Sequence, residues 1–156
     1  RSMERIASFC VDHTRLERGM YLSRQDGDVL TWDIRMKKPN HGDYLSTGAA
    51  HTLEHLFATY ARNSAFQDSV IYVGPMGCRT GFYLLLAGDL EPRDVEELVQ
   101  AMFRFIRDYE GPVPGAAARD CGNYLDMNLP MAKLLAGRYL EKTLLRLDEA
   151  HMCYPE

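Results

Sequence analysis

No stretch of this sequence stays apolar long enough to cross a bilayer; its longest run, FYLLLA at 82–87, is far short of the roughly 20 residues a spanning helix needs. The opening segment RSMERIASF lacks the apolar core of a secretory leader, and Arg1-Ser2 ahead of Met3 reads as a cloning remnant. A cytoplasmic protein is expected. Positive charge is not in excess either: 18 Lys and Arg against 22 Asp and Glu give a net −4, so neither nucleic acid nor an anionic membrane is an expected partner. Cysteine is sparse. Cys10, Cys78, Cys121 and Cys153 are widely separated in a chain of 156 residues, long enough to build a core without disulfides, so reduced thiols are expected. Repeats, low-complexity tracts and linker-like segments are also missing, and residues 1–156 are expected to form one domain. The remaining composition, 46% hydrophobic and 26% charged, suits a globular protein whose ligand is a small molecule or another protein.

Hydrophobic periodicity supplies the elements. Residues 20–25 and 29–37 flank Asp26-Gly27-Asp28, a turn tolerant of positive φ, and read as a hairpin. Its second arm alternates Leu30, Trp32, Ile34 and Met36 with Thr31, Asp33, Arg35 and Lys37, which predicts a half-buried strand with Arg35 on the polar face. Turn formers fill 38–47, and Ser46 or Thr47 is placed to cap a helix over about 48–63. Strands are predicted at about 69–73 and 81–87, separated by Gly74-Pro75-Met76-Gly77, with Cys78 just beyond that turn. A helix over about 92–109 opens on Pro92 and places Val95, Leu98, Val99, Met102, Phe105, Ile106 and Tyr109 on one face. A last helix starts near 129 and carries Met131, Leu134, Leu135 and Leu140. The pattern is that of an α+β fold, a mostly antiparallel sheet with helices packed on one face.

The run HTLEH at 51–55 is an inverted H-x-x-E-H pattern. At about 100° per residue, with His51 at zero, Glu54 falls near 300° and His55 near 40°, while Leu53, Leu56, Phe57 and Tyr60 cluster at roughly 140–240°. One face is therefore core and the other chemistry. Two imidazoles one turn apart reach a single metal ion, and the glutamate beside them is left free to act as a base. Catalytic sites of this kind commonly use a third protein ligand and keep the fourth position open. Cys121, in the loop sequence RDCGN, leads the candidates, with Cys78, His41 or an acidic residue as alternatives.

The segments HTLEHLFATYARN, GPMGCRTGFYL and RDCGNY, in that order, together with IASFCVDHT and WDIRMKKPN, resemble the LuxS family of S-ribosylhomocysteine lyases. The likeness spans roughly residues 5 to 135. It implies that His51, His55 and Cys121 hold one divalent metal ion per subunit, iron(II) in the native protein, with zinc or cobalt able to take its place. Glu54 and Cys78 become the acid/base catalysts. Arg35 is implied to hold substrate or Cys78 in place, and Ser8, His13 and Arg62 match positions that approach the substrate. The family's reaction moves a sugar carbonyl along its chain and expels homocysteine, leaving 4,5-dihydroxy-2,3-pentanedione, the precursor of the quorum-sensing signal autoinducer-2 and an exit from the methyl cycle. Members are homodimers with active sites at the subunit interface. One departure stands out: Tyr72 and Gly74 occupy positions where the family commonly has an acidic residue and a serine, which bears on how the amino-acid end of the substrate is gripped.

These residue types suit such chemistry. Each isomerisation takes a proton from carbon beside a carbonyl, a step that a Lewis-acidic ion favours. Protons taken from one carbon and returned to another call for groups on different sides of the substrate, and a nearby cation such as Arg35 would shift the Cys78 thiol toward thiolate. Two rivals share the motif. A peptidase of the inverted-motif class would use Glu54 to activate water and take Glu96 or Glu97 as third ligand, leaving Cys78 without a role. A structural metal site in a binding module would require a fourth protein ligand.

Overall fold

The computed structural model describes residues 3–6, 9–88 and 90–155. The fold is α+β. Strands β1 (Gly19–Asp26), β2 (Val29–Arg35), β3 (Val70–Pro75) and β4 (Gly81–Ala87) form one sheet in the order β1-β2-β4-β3, every neighbouring pair antiparallel. Helix α1 (Thr47–Ala61) connects β2 to β3, while α2 (Pro92–Arg107) and α3 (Leu129–Lys142) follow β4. The β1–β2 hairpin turns at Asp26 to Val29, with Gly27 at φ +63° as its sequence requires.

Helix starts follow the expected chemistry. Ser46 Oγ accepts a hydrogen bond from the Ala49 amide, and Asn128 Oδ1 accepts one from Met131, so each occupies an orphan donor of the first turn. Pro92 opens α2, where a missing N–H costs nothing.

One face of the sheet, bearing Met20, Trp32, Ile34, Phe82, Leu84 and Leu86, packs on Leu53, Leu56 and Phe57 of α1 and on the inner faces of α2 and α3. In α2 the buried set is Val95, Leu98, Val99, Met102, Phe103 and Ile106. Phe105 and Tyr109, expected in the core, instead sit at its margin, where Phe105 packs on Tyr60 at 5.2 Å. In α3 the inward residues are Ala132, Leu135, Ala136, Tyr139 and Leu140, with Tyr139 packed on Phe103 of α2 at 4.8 Å, while Met131 and Leu134 face outward.

The other face of β2 departs from the half-buried strand that alternation predicts. Asp33 is wholly buried and Arg35 is 3% exposed. The chain after α3 causes this: Tyr154 stacks on Tyr21 at 4.9 Å and donates its hydroxyl proton to Asp33 Oδ2 at 2.6 Å. A residue larger than glycine at position 19 would meet the His151 carbonyl oxygen at 2.2 Å, so that segment lies directly against β1.

Candidate metal centre and active site

Helix α1 and the loop between α2 and α3 build the centre between them. His51 and His55 stand one turn apart with Nε2 atoms 3.1 Å from each other, and Cys121 Sγ lies 3.4 Å from His51 Nε2. The three ligand atoms fall within 4.8 Å of one another, and all three residues are half-buried. Tetrahedral coordination, with metal–nitrogen bonds of about 2.0–2.1 Å and a metal–sulfur bond of about 2.3 Å, would space such atoms roughly 3.3–3.6 Å apart, so the donor set fits a single ion. Among the described residues neither His41, Cys78, Glu96 nor Glu97 joins this group.

Backbone carbonyls aim the imidazoles. His51 Nδ1 lies 3.0 Å from the Asp126 oxygen and His55 Nδ1 lies 2.8 Å from the Pro114 oxygen. A ring nitrogen facing a carbonyl must carry the proton, which leaves each Nε2 lone pair for a metal. The loop is stitched to α1 to make this possible: Asn128 N donates to Thr52 Oγ1 at 2.8 Å, and Thr47 Oγ1 donates to Asp126 at 3.3 Å. Gly115, at φ +70°, lets the chain pass over His55, whose Nδ1 would lie 3.3 Å from a Cβ there.

Glu54 points from the same helix into a cavity of about 410 Å³ lined also by His55, Arg62, Tyr72 and Gly115. Its carboxylate has no hydrogen bond or ion pair among the described residues. Arg62 caps the end of α1 and donates to the Ile71 carbonyl at 3.0 Å. The Tyr72 phenol lies over Gly74, where a Cβ would come within 2.0 Å of its oxygen. The two unusual residues are therefore one coupled feature, the tyrosine ring occupying the space a side chain at 74 would need.

Cys78 lies elsewhere on the chain. It is exposed on the β3–β4 turn and lines a cavity of about 580 Å³ with His13, Arg35, Tyr44, Thr80 and Tyr83. Arg35 forks onto Asp33 at 3.1 and 2.6 Å and donates through Nη1 to Thr80 Oγ1 at 2.8 Å; Cys78 Sγ is 3.1 Å from the same hydroxyl. His13 Nδ1 meets the Val11 carbonyl at 2.8 Å. Ser8 lies outside the described residues. Sequence reasoning overlooked Asp33, Thr80 and Tyr154. Asp33 had a signal, two residues before Arg35 on the same strand face, whereas nothing local points to Tyr154.

A family model described as S-ribosylhomocysteinase (LuxS) matches residues 6–150. The chain belongs to the LuxS family. It is an enzyme of the lyase class. A relative named S-ribosylhomocysteine lyase from Phocaeicola vulgatus is 52% identical, with 98% of each chain covered. Relatives of the same name from Clostridium acetobutylicum and Clostridium beijerinckii are 52% and 50% identical, covering 99% and 98% of this chain and 100% and 99% of theirs. Membership in the LuxS family leaves the peptidase reading without support, as does the absence of Glu96 and Glu97 from the ligand group. No helix among the described residues is long and apolar enough to cross a membrane.

Proposed function

We propose that this protein cleaves S-ribosylhomocysteine to homocysteine and 4,5-dihydroxy-2,3-pentanedione, using one divalent metal ion held by His51, His55 and Cys121. The arrangement that carries the reading is the His-His-Cys group with the Glu54 carboxylate beside it on the same helix, unpaired among the described residues. Iron(II) is the native ion in this reading, and zinc or cobalt suits the same ligands. When bound, the ion supplies Lewis acidity beside a substrate carbonyl. Glu54 removes and returns protons on carbons next to that carbonyl, and Cys78 serves the opposite side of the sugar chain. In the final step a proton leaves carbon, its electron pair forms the new double bond, and the carbon–sulfur bond breaks with homocysteine thiolate carrying away its pair. Arg35 positions Cys78 through Thr80, with which both make contact. His13 reaches substrate from the Cys78 cavity, Arg62 from the Glu54 cavity, and Ser8 is assigned the same role from its place in the sequence.

Glu54 and Cys78 line different cavities of one chain, which supports a homodimer in which each active site takes Glu54 and the metal from one subunit and Cys78 from the other. The proposed setting is cytoplasmic. Two measurements test this reading. Metal-loaded protein given S-ribosylhomocysteine should release free thiol; no thiol would sink the activity. Mixing separately inactive Cys78→Ala and Glu54→Gln chains should then restore about a quarter of wild-type turnover, since half the dimers are mixed and each carries one intact site. No recovery after verified subunit exchange would place both groups in one chain's site.

A further inference from the structure

Away from the histidine–cysteine group, a cavity of about 120 Å³ opens between the end of β2, the segment before β1 and the last turns of α3. Its wall carries Arg18, Lys37, Arg138 and Lys142 against one carboxylate, Asp43, an excess of positive charge on a chain whose net charge is −4. Lys37 is 7% exposed, and its ammonium reaches only Asp43, at 2.9 Å, among the described residues. An ammonium has three donors, so most of its hydrogen-bonding capacity is left for the cavity. Thr143 lines the same wall, is 9% exposed, and its hydroxyl has no hydrogen-bond partner among the described residues. Arg18, Arg138 and Lys142 likewise make no ion pair among those residues.

The charges act on one another. A hydrogen bond from Lys37 pulls the Asp43 carboxyl below its usual value, and the charges of Lys37, Arg18 and Arg138 add to the effect. An adjoining cavity of about 170 Å³ shares Arg18, Lys142 and Thr143 and adds Arg146; Glu17 on its wall is taken up by Lys38 at 3.1 Å. Like charges gathered on a concave wall repel one another and focus a positive potential into the cavity, which favours an anion there.

We propose that this cavity binds a small phosphate-bearing anion, either free phosphate or the phosphate group of a monoester. A tetrahedral dianion offers oxygens in several directions, which suits a lining that holds the two exposed guanidinium groups of Arg18 and Arg138, the buried Lys37 ammonium and the Thr143 hydroxyl. Its charge offsets most of the excess that Asp43 leaves. Asp43 stays paired with Lys37 at 2.9 Å, which offsets part of its repulsion of the incoming oxygens.

The test is calorimetric titration of the metal-loaded, full-length protein at constant ionic strength with inorganic phosphate, glycerol phosphate and citrate, with chloride as background. Saturable binding of one phosphate or glycerol phosphate per chain is expected. Glycerol phosphate binding as tightly as phosphate assigns the site to monoesters, and binding of phosphate alone assigns it to the free ion. Arg138 and Lys142 are exposed, so Arg138→Gln and Lys142→Gln should fold normally, each weakening binding about tenfold or more. Binding should persist in Cys121→Ala, which separates it from any association with the metal. The proposal is overturned if neither phosphate probe binds, if the Arg138→Gln/Lys142→Gln double variant binds as the parent does, if Cys121→Ala abolishes binding, or if citrate binds more tightly than both.

Discussion

Replacing Tyr154 with phenylalanine should destabilise the protein by about 1.5–3 kcal/mol, although the residue lies two places from the end of the chain. The phenol donates to Asp33 Oδ2 at 2.6 Å, and that carboxylate is wholly buried. Hydrogen bonds to buried charged groups are worth about 1.5–3 kcal/mol, more than neutral ones, because the acceptor left behind loses a donor and gains no water. Arg35 still forks onto Asp33 in the variant, and the phenylalanine ring keeps the stack on Tyr21, so packing loss adds little. For a chain of this size each kcal/mol lowers the melting temperature by about 2–4 °C, giving a drop of about 3–12 °C in calorimetry. Asp33→Asn should cost more, roughly 3–5 kcal/mol, since it leaves Arg35 buried without its counter-charge. The two effects should not add. In a double-mutant cycle the coupling should be about 1 kcal/mol or more, as expected for partners in contact. A Tyr154→Phe variant that melts with the wild type, or a cycle with no coupling, would refute the idea that the final residues hold the ion pair behind Cys78.

The same tyrosines make stability sensitive to alkali. Burial first, and the Asp33 carboxylate second, push Tyr21 up to about 12 and hold Tyr139 and Tyr154 well above the ordinary tyrosine range. Phenols of the unfolded chain ionise near pH 10, so this contribution is complete below about pH 10 and is lost as pH rises toward 12; urea midpoints flat across that interval would contradict it. Metal content should divide the site residues: Cys121→Ala should lose the ion and Glu54→Gln should keep it, as measured by elemental analysis after desalting. Full occupancy in the first variant or loss in the second would reverse the assignment. Gly81→Ala would set a Cβ 2.1 Å from the Ile34 carbonyl oxygen across the β2–β4 pair, where backbone cannot swing aside. It should cost about 1–3 kcal/mol or more, and a wild-type denaturation curve would show that the strands part easily.

Much of this architecture was readable from local pattern. Two-residue alternation marks β2, helical spacing marks α1 and α2, and Ser46 and Pro92 mark helix starts, because each depends on neighbours within a turn or a strand repeat. The His51–Glu54–His55 spacing likewise states its own geometry: helix pitch alone puts the imidazoles on one side and Leu53, Leu56 and Phe57 on the other. Cys121 stands 70 residues from His51, and its place beside the histidines depends on a loop held by Thr52, Asp126 and Asn128. No periodicity encodes such a contact. Only the tertiary structure decided that the polar face of β2 is buried, because the cover comes from Tyr154, 121 residues beyond Asp33. It also decided that Cys78 and Glu54 open into separate cavities, and that Arg18, Lys37, Arg138 and Lys142 share one wall. In each case the deciding contacts join segments remote in sequence, and their energies depend on distance in space and not on order along the chain.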